Sequence, residues 1–192
     1  MDWGTWSPMT KRSAGILMYR SSGSDLRLLL VHPGGPFWAS KDVGAWSIPK
    51  GEYEPEEEPL ICAIREFKEE LGTAPQAGGA RAFLELGELV QPCGKVITAW
   101  AVEGDVETDK LRSNLFEMEW PPKSGRVQSF PEVDLADWFS VAEARKKIHP
   151  GQAPFIDRLC KLVRSKTKGQ NRRRPLSTAG RGRGMPDRKQ PC

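Results

Sequence analysis

The sequence contains few of the residues that build metal or disulfide frameworks. Only four cysteines and two histidines occur in 192 residues. No two cysteines form a Cys-x-x-Cys pair, and His32 and His149 are far apart in the chain. This spacing argues against a zinc site and against a disulfide-rich secreted domain. Because unpaired cysteines fit a reducing compartment, we expect a cytoplasmic protein.

Long apolar runs are also missing. No stretch approaches the roughly 20 apolar residues that a membrane-spanning helix needs. The apolar run 14–19 is too short for the core of a signal peptide, and it continues as a predicted strand. No internal repeat is visible. The sequence therefore predicts no membrane partner.

Charge is distributed unevenly along the chain. Residues 164–192 contain ten Lys or Arg and one acid, Asp187, which leaves +9, whereas the preceding 19 basic and 24 acidic residues leave −5. Few large apolar residues occur in 164–192, so burial there cannot offset the entropy lost on ordering. We therefore predict a folded domain over 10–162 and a disordered basic tail over 163–192.

Two interpretations of the tail stay open. Its charge, with Arg-Gly-Arg-Gly at 181–184, fits nonspecific electrostatic contact with nucleic acid such as RNA. No aromatic residues interleave the charges, which argues against base stacking. The alternative is a solvated, dispensable extension.

The acidic segment 51–72 is the most informative part of the chain. Eight glutamates face only Arg65 and Lys68, which leaves −6 in this segment. Like charges at this density repel one another, and folding brings some of them closer. A divalent cation held by oxygen ligands would relieve the repulsion.

The same segment has the pattern of an amphipathic helix. Glu-Glu-Glu-Pro at 56–59 predicts its start and Gly72 its end. At about 100° per residue, the apolar side chains fall on one stripe: Leu60, Ile64, Phe67 and Leu71. Glu66, Glu69 and Glu70 fall on roughly the opposite side, where three carboxylates suit Mg²⁺ or Mn²⁺. A merely solvated face is the alternative, but such faces usually alternate acids with Lys.

Fixed residue types recur through this segment at set spacings: Gly51, Glu57, Arg65, Glu66, Phe67, Glu69, Glu70 and Gly72. This pattern resembles the Nudix box, with Thr73 in place of the final aliphatic residue. The surrounding strand and helix pattern extends the resemblance to about residues 10–162. It implies the α/β class, as a Nudix α/β/α sandwich with a mixed sheet.

The resemblance implies a metal site. Glu66, Glu69 and Glu70 would coordinate catalytic Mg²⁺, with Mn²⁺ as an alternative, and the carbonyl of Lys50 would be a further ligand. The reaction would be hydrolysis of a nucleoside diphosphate linked to another group.

The resemblance also implies supporting and proton-transfer roles. Glu57 and Arg65 would support the loop and orient the metal-binding carboxylates. The general base would be a box glutamate, with Glu66 and Glu70 as first choices, or a glutamate from a later loop.

Residues outside the box supply candidates for substrate binding. Trp38 and Trp120 are candidate platforms for a purine base, with loop-anchoring burial as the alternative for each. Lys50, Lys123 and Arg126 are candidates for contacts with substrate phosphates.

Three further side chains outside the box have predicted roles of other kinds. Glu117 or Glu119, in a predicted loop over 117–126, could supply an extra metal ligand or the base. We expect His32 to be a hydrogen-bonded loop residue and not a catalytic one.

The periodicity predicts the remaining elements in outline. Predicted strands cover 13–20, 26–32, 46–48, 81–91, 95–103 and 137–140, and predicted helices cover 141–148 and 154–163. Ser140 is expected to cap the first of these helices.

The leading function is a Mg²⁺-dependent pyrophosphohydrolase. Dinucleoside polyphosphates rank first because Pro-Lys-Gly at 49–51 resembles that branch of the family, and nucleoside triphosphates and nucleotide sugars follow. The alternatives are a non-catalytic domain that senses a nucleotide and an RNA-associated pyrophosphohydrolase anchored by the tail. Homodimers are frequent in the family, so a homodimer is also a candidate.

Overall fold

The computed structural model describes residues 11–22, 25–76 and 82–171, and of 167–171 it describes the backbone. None of the helices in these ranges is both long and apolar enough to cross a membrane. Residues 172–192 of the tail predicted over 163–192, and residue 81, the predicted start of a strand, lie outside the described residues.

The elements alternate in a mixed order along the chain. The strands are β1 (Arg12–Ser22), β2 (Asp25–Pro33), β3 (Lys50–Glu52), β4 (Leu84–Val90), β5 (Val96–Glu103), β6 (Leu115–Glu119), β7 (Val127–Pro131) and β8 (Val133–Ser140). The α-helices are α1 (Pro59–Leu71), α2 (Val141–Lys147) and α3 (Ala153–Asn171). Short 3-10 helices cover Thr108–Lys110 and Pro150–Gln152.

Six strands form one mixed sheet. Its order is β4-β5-β1-β2-β8, and β3 pairs with β1. β1 runs parallel to β5 and antiparallel to β2, while β4 and β8 pair antiparallel at the two edges. β6 and β7 form a separate hairpin. The predicted mixed sheet is thus confirmed.

One side of β1 is shared between two partners. β2 pairs with it over Tyr19–Ser22, and β3 pairs with it over Ser13–Gly15. Between these stretches, the Ile16 N–H donates to the Pro49 carbonyl over 3.0 Å. The first residues of the acidic segment are therefore held at the centre of the sheet.

Side chains of β1 alternate between two cores. Ile16 and Met18 pack in the core that contains Phe67 of α1. Leu17 packs in the core that contains Phe155 of α3. Helices therefore cover both faces of the sheet, as the predicted α/β/α sandwich requires.

Helix α1 begins later than predicted and ends where predicted. Glu58 is its N-cap, and its carboxylate accepts from the Ile61 N–H over 2.9 Å. The three acids at 56–58 therefore precede the first turn and do not belong to it. Gly72 closes the helix with φ 76°, a left-handed conformation that glycine adopts without steric cost.

The predicted faces of α1 need correction. Of the predicted apolar stripe, Phe67 and Leu71 are buried but Leu60 and Ile64 are only half-buried, and Cys62 and Ala63 are buried beside them. The three glutamates are half-buried as well, because β3 packs against their side of the helix. Two sides of α1 are therefore covered by protein.

Three segment predictions also differ from the structure. Residues 46–48 form isolated bridges to Val31 and Ile148, and the strand lies at Lys50–Glu52 instead. The predicted loop over 117–126 begins within β6, so its glutamates lie on a strand. Helix α3 continues to Asn171, beyond the helix end predicted at 163.

Local capping signals were read correctly at α2. The Ser140 hydroxyl accepts from the Glu143 N–H, and the Glu143 carboxylate accepts from the Ser140 N–H over 2.9 Å. This reciprocal capping box satisfies two backbone donors at the start of the helix.

Candidate active site

The three box glutamates meet strand β3 at the sheet centre. The Glu66 side chain is 13 % exposed, and Glu69 is 36 % exposed. Gly51 of β3 lies directly against Glu66, because a Cβ built on Gly51 would be 1.8 Å from the Glu66 carboxyl carbon. Any residue other than glycine at position 51 would therefore displace the Glu66 carboxylate.

Glu70 carries a buried oxygen atom that the protein does not satisfy. Its Oε2 has no hydrogen-bond partner among the described residues. Burial raises the pKa of the Glu70 carboxyl to about 8, although the Lys50 ammonium and the Lys50 backbone N–H oppose that shift. Burial also raises the pKa of Glu66, against the effect of Arg65. Unpaired buried oxygen atoms are costly, so this geometry favours a cation or donor at the site.

Arg65 binds several of the acids at once. Its Nε and Nη2 donate to the two carboxylate oxygens of Glu57, each over 3.1 Å. Its Nη1 donates to Glu66 over 2.6 Å and to Glu69 over 3.2 Å. These bonds raise the pKa of Arg65, first through Glu57. The guanidinium thus ties the loop to the helix, which is the arrangement that a supporting role requires.

Lys50 lies between the glutamates and a cavity. It is half-buried, and burial lowers the pKa of its ammonium while the Glu70 carboxylate opposes the shift. It also lines a cavity of about 500 Å³, within the roughly 300–1,000 Å³ of small-molecule sites. The cavity has apolar walls that include Trp38 and Ile97, and Lys95 is its second cationic side chain.

Another cavity of about 560 Å³ lies at the C-terminal end of α1. The described lining of neither cavity includes the three box glutamates predicted to bind metal, but the smaller one is lined by Lys50, which acts electrostatically on Glu66 and Glu70. The smaller cavity, which contains Lys50, is therefore the better candidate for a substrate.

The donor set fits a divalent cation. Carboxylate oxygens from Glu66, Glu69 and Glu70 and the carbonyl of Lys50 are the hard ligands that Mg²⁺ and Mn²⁺ take. The unpartnered Glu70 oxygen provides an independent sign of fit. Within the described ranges, no three or more His, Cys, Asp or Glu side chains are grouped closely enough to hold an ion together, and Arg65 bonds to two of these glutamates, Glu66 and Glu69.

The profile of the NUDIX domain matches residues 9–159. The chain belongs to the Nudix family. This membership supports a nucleotide pyrophosphohydrolase at the general level, and the box over 51–72 is the Nudix box of the chain. A comparison with curated proteins found no match.

Solved structures show the same fold at low sequence identity. An Ap4A hydrolase from C. elegans, in a binary complex, has a TM-score of 0.53 at 19 % identity, with 80 % of this chain and 98 % of that chain covered. The Nudix domain of Shewanella oneidensis NrtR, complexed with ADP ribose, has a TM-score of 0.56 at 12 % identity, covering 83 % and 94 %. A mutT/nudix family protein from Listeria innocua has a TM-score of 0.52 at 12 % identity, covering 82 % and 96 %.

Sequence reasoning missed one carboxylate beside the Nudix glutamates. Glu132 lies between β7 and β8 and acts electrostatically on both Glu66 and Glu70. Backbone hydrogen bonds position it, because the Asn114 N–H donates to the Glu69 carbonyl over 3.2 Å and the Glu132 N–H donates to the Asn114 carbonyl over 2.9 Å. Pairing of distant segments creates this proximity, and no local sequence signal marks it.

The two glutamates predicted in its place lie on the β6–β7 hairpin. Both Glu117 and Glu119 are exposed, and Glu119 accepts from the Gly125 N–H over 2.7 Å within the hairpin turn. The structure thus gives Glu119 a local role in the turn, and it brings Glu132 to the site instead.

Other predicted substrate contacts fall on the same hairpin. Trp120 packs edge-on against Phe37, with ring centroids 5.2 Å apart, and Lys123 and Arg126 are exposed. None of the three belongs to the described lining of the Lys50 cavity, whereas Trp38 does. Their contacts with substrate remain predictions.

His32 is hydrogen-bonded as predicted, but it lies in strand β2 and not in a loop. Nδ1 is 2.7 Å from a carboxylate oxygen of Asp134, and Nε2 is 2.8 Å from the Lys41 carbonyl. The ring therefore ties the segment that carries Trp38 to the sheet.

Proposed function

We propose that this protein is a divalent-metal-dependent hydrolase that cleaves a pyrophosphate bond in a nucleoside diphosphate linked to another group. The observation that carries the proposal is the buried, unpartnered Glu70 oxygen beside Lys50, which itself lines the cavity. A carboxylate proposed to bind metal and a cation proposed to bind phosphate are thereby adjacent beside a base-sized cavity.

Each part of the site has a task in this proposal. Trp38 would support the base inside the cavity, and Lys50 and Lys95 would bind phosphate oxygens on the way to the glutamates. Lys95 is also held by the Glu52 carboxylate over 2.9 Å, so its ammonium is fixed near the cavity.

Glu66, Glu69 and Glu70 would hold Mg²⁺ or Mn²⁺, with the Lys50 carbonyl as a further ligand. When bound, the ion neutralises charge on the phosphate oxygens and acidifies the attacking water. Glu132 would accept a proton from that water, because it reaches the cluster from a separate segment and is exposed. Arg65 would keep the carboxylates in place.

Dinucleoside polyphosphates and nucleoside triphosphates are the best substrate candidates. A cavity of about 500 Å³ accommodates one nucleoside, and the remainder of either substrate would extend past Lys50 toward the glutamates. A non-catalytic nucleotide sensor is the alternative. The full set of box glutamates, with Arg65 bound to Glu57, favours catalysis.

The test is a substrate panel with Mg²⁺ or Mn²⁺, in which released products are separated by chromatography. We expect the wild type to hydrolyse a nucleoside-diphosphate-linked compound, and Glu69→Gln and Glu70→Gln to lower turnover by orders of magnitude. Glu56→Gln is the matched control, because it removes the same charge from an exposed residue of the box loop. Equal turnover by Glu70→Gln and Glu56→Gln would refute the site. Nucleotide binding without any turnover would favour the sensor.

A further inference from the structure

The buried imidazole of His32 joins the sheet to a wall of the Lys50 cavity. Its side chain is 5 % exposed and lies in β2. Nδ1 faces a carboxylate oxygen of Asp134, in β8, at 2.7 Å. Nε2 faces the carbonyl of Lys41 at 2.8 Å, in the loop between β2 and β3 that contains Trp38.

Both groups that face the ring are hydrogen-bond acceptors. A carbonyl oxygen only accepts, and so does an ionised carboxylate. Neutral imidazole has one N–H, so it can donate to one of these oxygens and must turn a lone pair toward the other. The imidazolium form donates to both. While Asp134 is ionised, the observed arrangement is therefore complete only when His32 carries its second ring proton.

Four charged side chains lie around the ring and its neighbour Trp46: Asp134, Lys41, Asp42 and Lys147. Asp42 accepts from the Lys147 ammonium and from the Trp46 indole, and these bonds lower the pKa of its carboxyl, with a smaller contribution from His32. The Lys41 ammonium lies over the Trp38 ring, 4.5 Å from its centroid. In the described part of the chain, Asp134 is thus the charged group that pairs directly with the ring.

The contact at Nε2 holds the middle of the loop. The two ends of the loop are anchored by backbone hydrogen bonds, from Gly34 to Glu132 and from Gly44 to Lys146. Between these ends, the Lys41 N–H donates to the Trp38 carbonyl over 2.7 Å, while the Lys41 carbonyl faces His32. Trp38 in turn lines the cavity. Loss of the bond from His32 would therefore release the turn that carries Trp38.

We propose that His32 is a positioning residue for nucleotide binding, whose protonated ring holds Lys41, and through it Trp38, at the cavity. When the ring loses a proton to solvent it keeps the bond to Asp134, because a carboxylate is the stronger acceptor, and gives up the bond to Lys41. Affinity for the nucleotide then falls as the pH rises between about 5 and 8, where histidine changes charge. This inference rests on the proposed function for the identity of the ligand.

Nuclear magnetic resonance of the protein without nucleotide tests the proton count. We expect both ring nitrogens of His32 to carry protons at about pH 5.5 and one of them at about pH 8, with the indole signal of Trp38 shifting over the same range. Assignment through the backbone identifies both side chains, so the wild-type titration is decisive even if a variant does not fold. A constant proton number on His32, or a Trp38 signal that does not follow it, would overturn the inference.

Asp134→Asn gives a result that a purely structural role does not predict. The asparagine amide can donate to Nδ1, and the neutral ring can then donate from Nε2 to the Lys41 carbonyl. Both contacts form without the second proton, so the Trp38 signal should keep its low-pH position up to about pH 8. Asp137→Asn is the matched control, because it removes the same charge from an exposed residue of the same strand and should keep the wild-type pH dependence. A Trp38 signal in Asp134→Asn that still shifts as in the wild type would contradict the role of His32.

Steady-state kinetics with ATP and diadenosine tetraphosphate connect the ring to the substrate. Between pH 6 and 8, the KM of the wild type should rise about fivefold relative to that of Asp134→Asn, as loss of one hydrogen bond predicts, while the ratio of their kcat values stays constant. The comparison cancels pH effects on the box glutamates, which both proteins share. A constant KM ratio would overturn the positioning role. If neither compound is hydrolysed, the hydrolase proposal fails, whereas the resonance titration still decides the role of His32.

Discussion

At the residue scale, Arg65 determines where the glutamates can be. One planar guanidinium contacts Glu57, Glu66 and Glu69 at the same time, and it does so with five donors in a fixed plane. A lysine at this position has one compact ammonium and cannot hold Glu57 through two parallel bonds.

We therefore expect Arg65→Lys to fold but to lose activity by about 10- to 100-fold, as changes in residues that orient metal ligands typically do. A Mg²⁺ titration of hydrolysis rates measures the effect, and a higher Mg²⁺ requirement should accompany it. Arg20→Lys, at an exposed ion pair with Asp105, is the control and should behave as wild type. Unchanged Mg²⁺ dependence in Arg65→Lys would contradict the assigned role.

Glu70 links function to stability through its buried carboxyl. Its pKa rises from the usual 4.5 in the unfolded chain to about 8 in the folded protein. Below about pH 4.5 both states are protonated, so the folded protein pays no penalty. As the pH rises from about 4.5 to 8, the unfolded carboxyl is ionised while the folded one stays protonated, so folded-state stability falls; above about pH 8 both states are ionised and the loss no longer grows.

Glu70→Gln removes this dependence. Without divalent ions, its midpoint of thermal unfolding should exceed that of the wild type, and the difference should grow between pH 4.5 and 8. Adding Mg²⁺ should raise the midpoint of the wild type more than that of the variant, because only the wild type retains the full ligand set. A difference that is constant with pH would show that Glu70 is not buried as described.

At the element scale, the contact between β3 and α1 assembles the site. The Glu66 carboxylate fills the space that a Cβ on Gly51 would need. This carboxylate is the far end of a flexible side chain. The Glu66 carboxylate can therefore move aside at small cost to folding, but it then leaves the cluster.

Gly51→Ala should thus keep the fold and lose most of the activity, as measured by circular dichroism and by hydrolysis rates. Gly94→Ala offers the reverse pattern. It has open space around it but a φ of 84°, so it should cost about 1 kcal/mol of stability and leave activity unchanged. Full activity in Gly51→Ala would mean that Glu66 is not needed at its present place.

Sequence signals that depend on neighbouring residues predicted two helix boundaries correctly, whereas strand positions that depend on distant segments were not predicted correctly. Gly72 and Ser140 were identified as helix boundaries, because capping depends on neighbouring residues alone. The strand at 46–48 was misplaced, because segment 47–52 owes its position to β1 and β2, which lie elsewhere in the chain. The sequence predicts a loop where Glu117 lies on a hairpin, because the Pro and Gly residues there mark only the turn of that hairpin.

At the scale of the whole molecule, an acidic region precedes a basic one. Residues 172–192 contain seven Lys or Arg and one acid, and nonspecific attraction to nucleic acid scales with such charge. The boundary for a truncation is better placed after Asn171 than at 162, because α3 runs to that residue.

A chain ending at Asn171 should hydrolyse a small nucleotide as fast as the full chain does. Its affinity for single-stranded RNA should be lower, and its binding should depend less steeply on salt concentration, which filter binding over a salt series measures. RNA affinity that is unchanged by the truncation would show that the tail does not anchor nucleic acid.

The sequence by itself determined the Nudix box, its charge and the C-terminal limit of the box helix. Spacing along one helix also predicts which of its carboxylates converge. Its resemblance to the Nudix box also predicted that Arg65, Glu57 and Lys50 belong to one site. Only the tertiary structure decided that Glu132 joins the glutamates and that Trp38, not Trp120, belongs to the described lining of the cavity. Those facts depend on pairing between β strands that are distant in the chain, and residue order alone does not encode which distant backbone groups will meet.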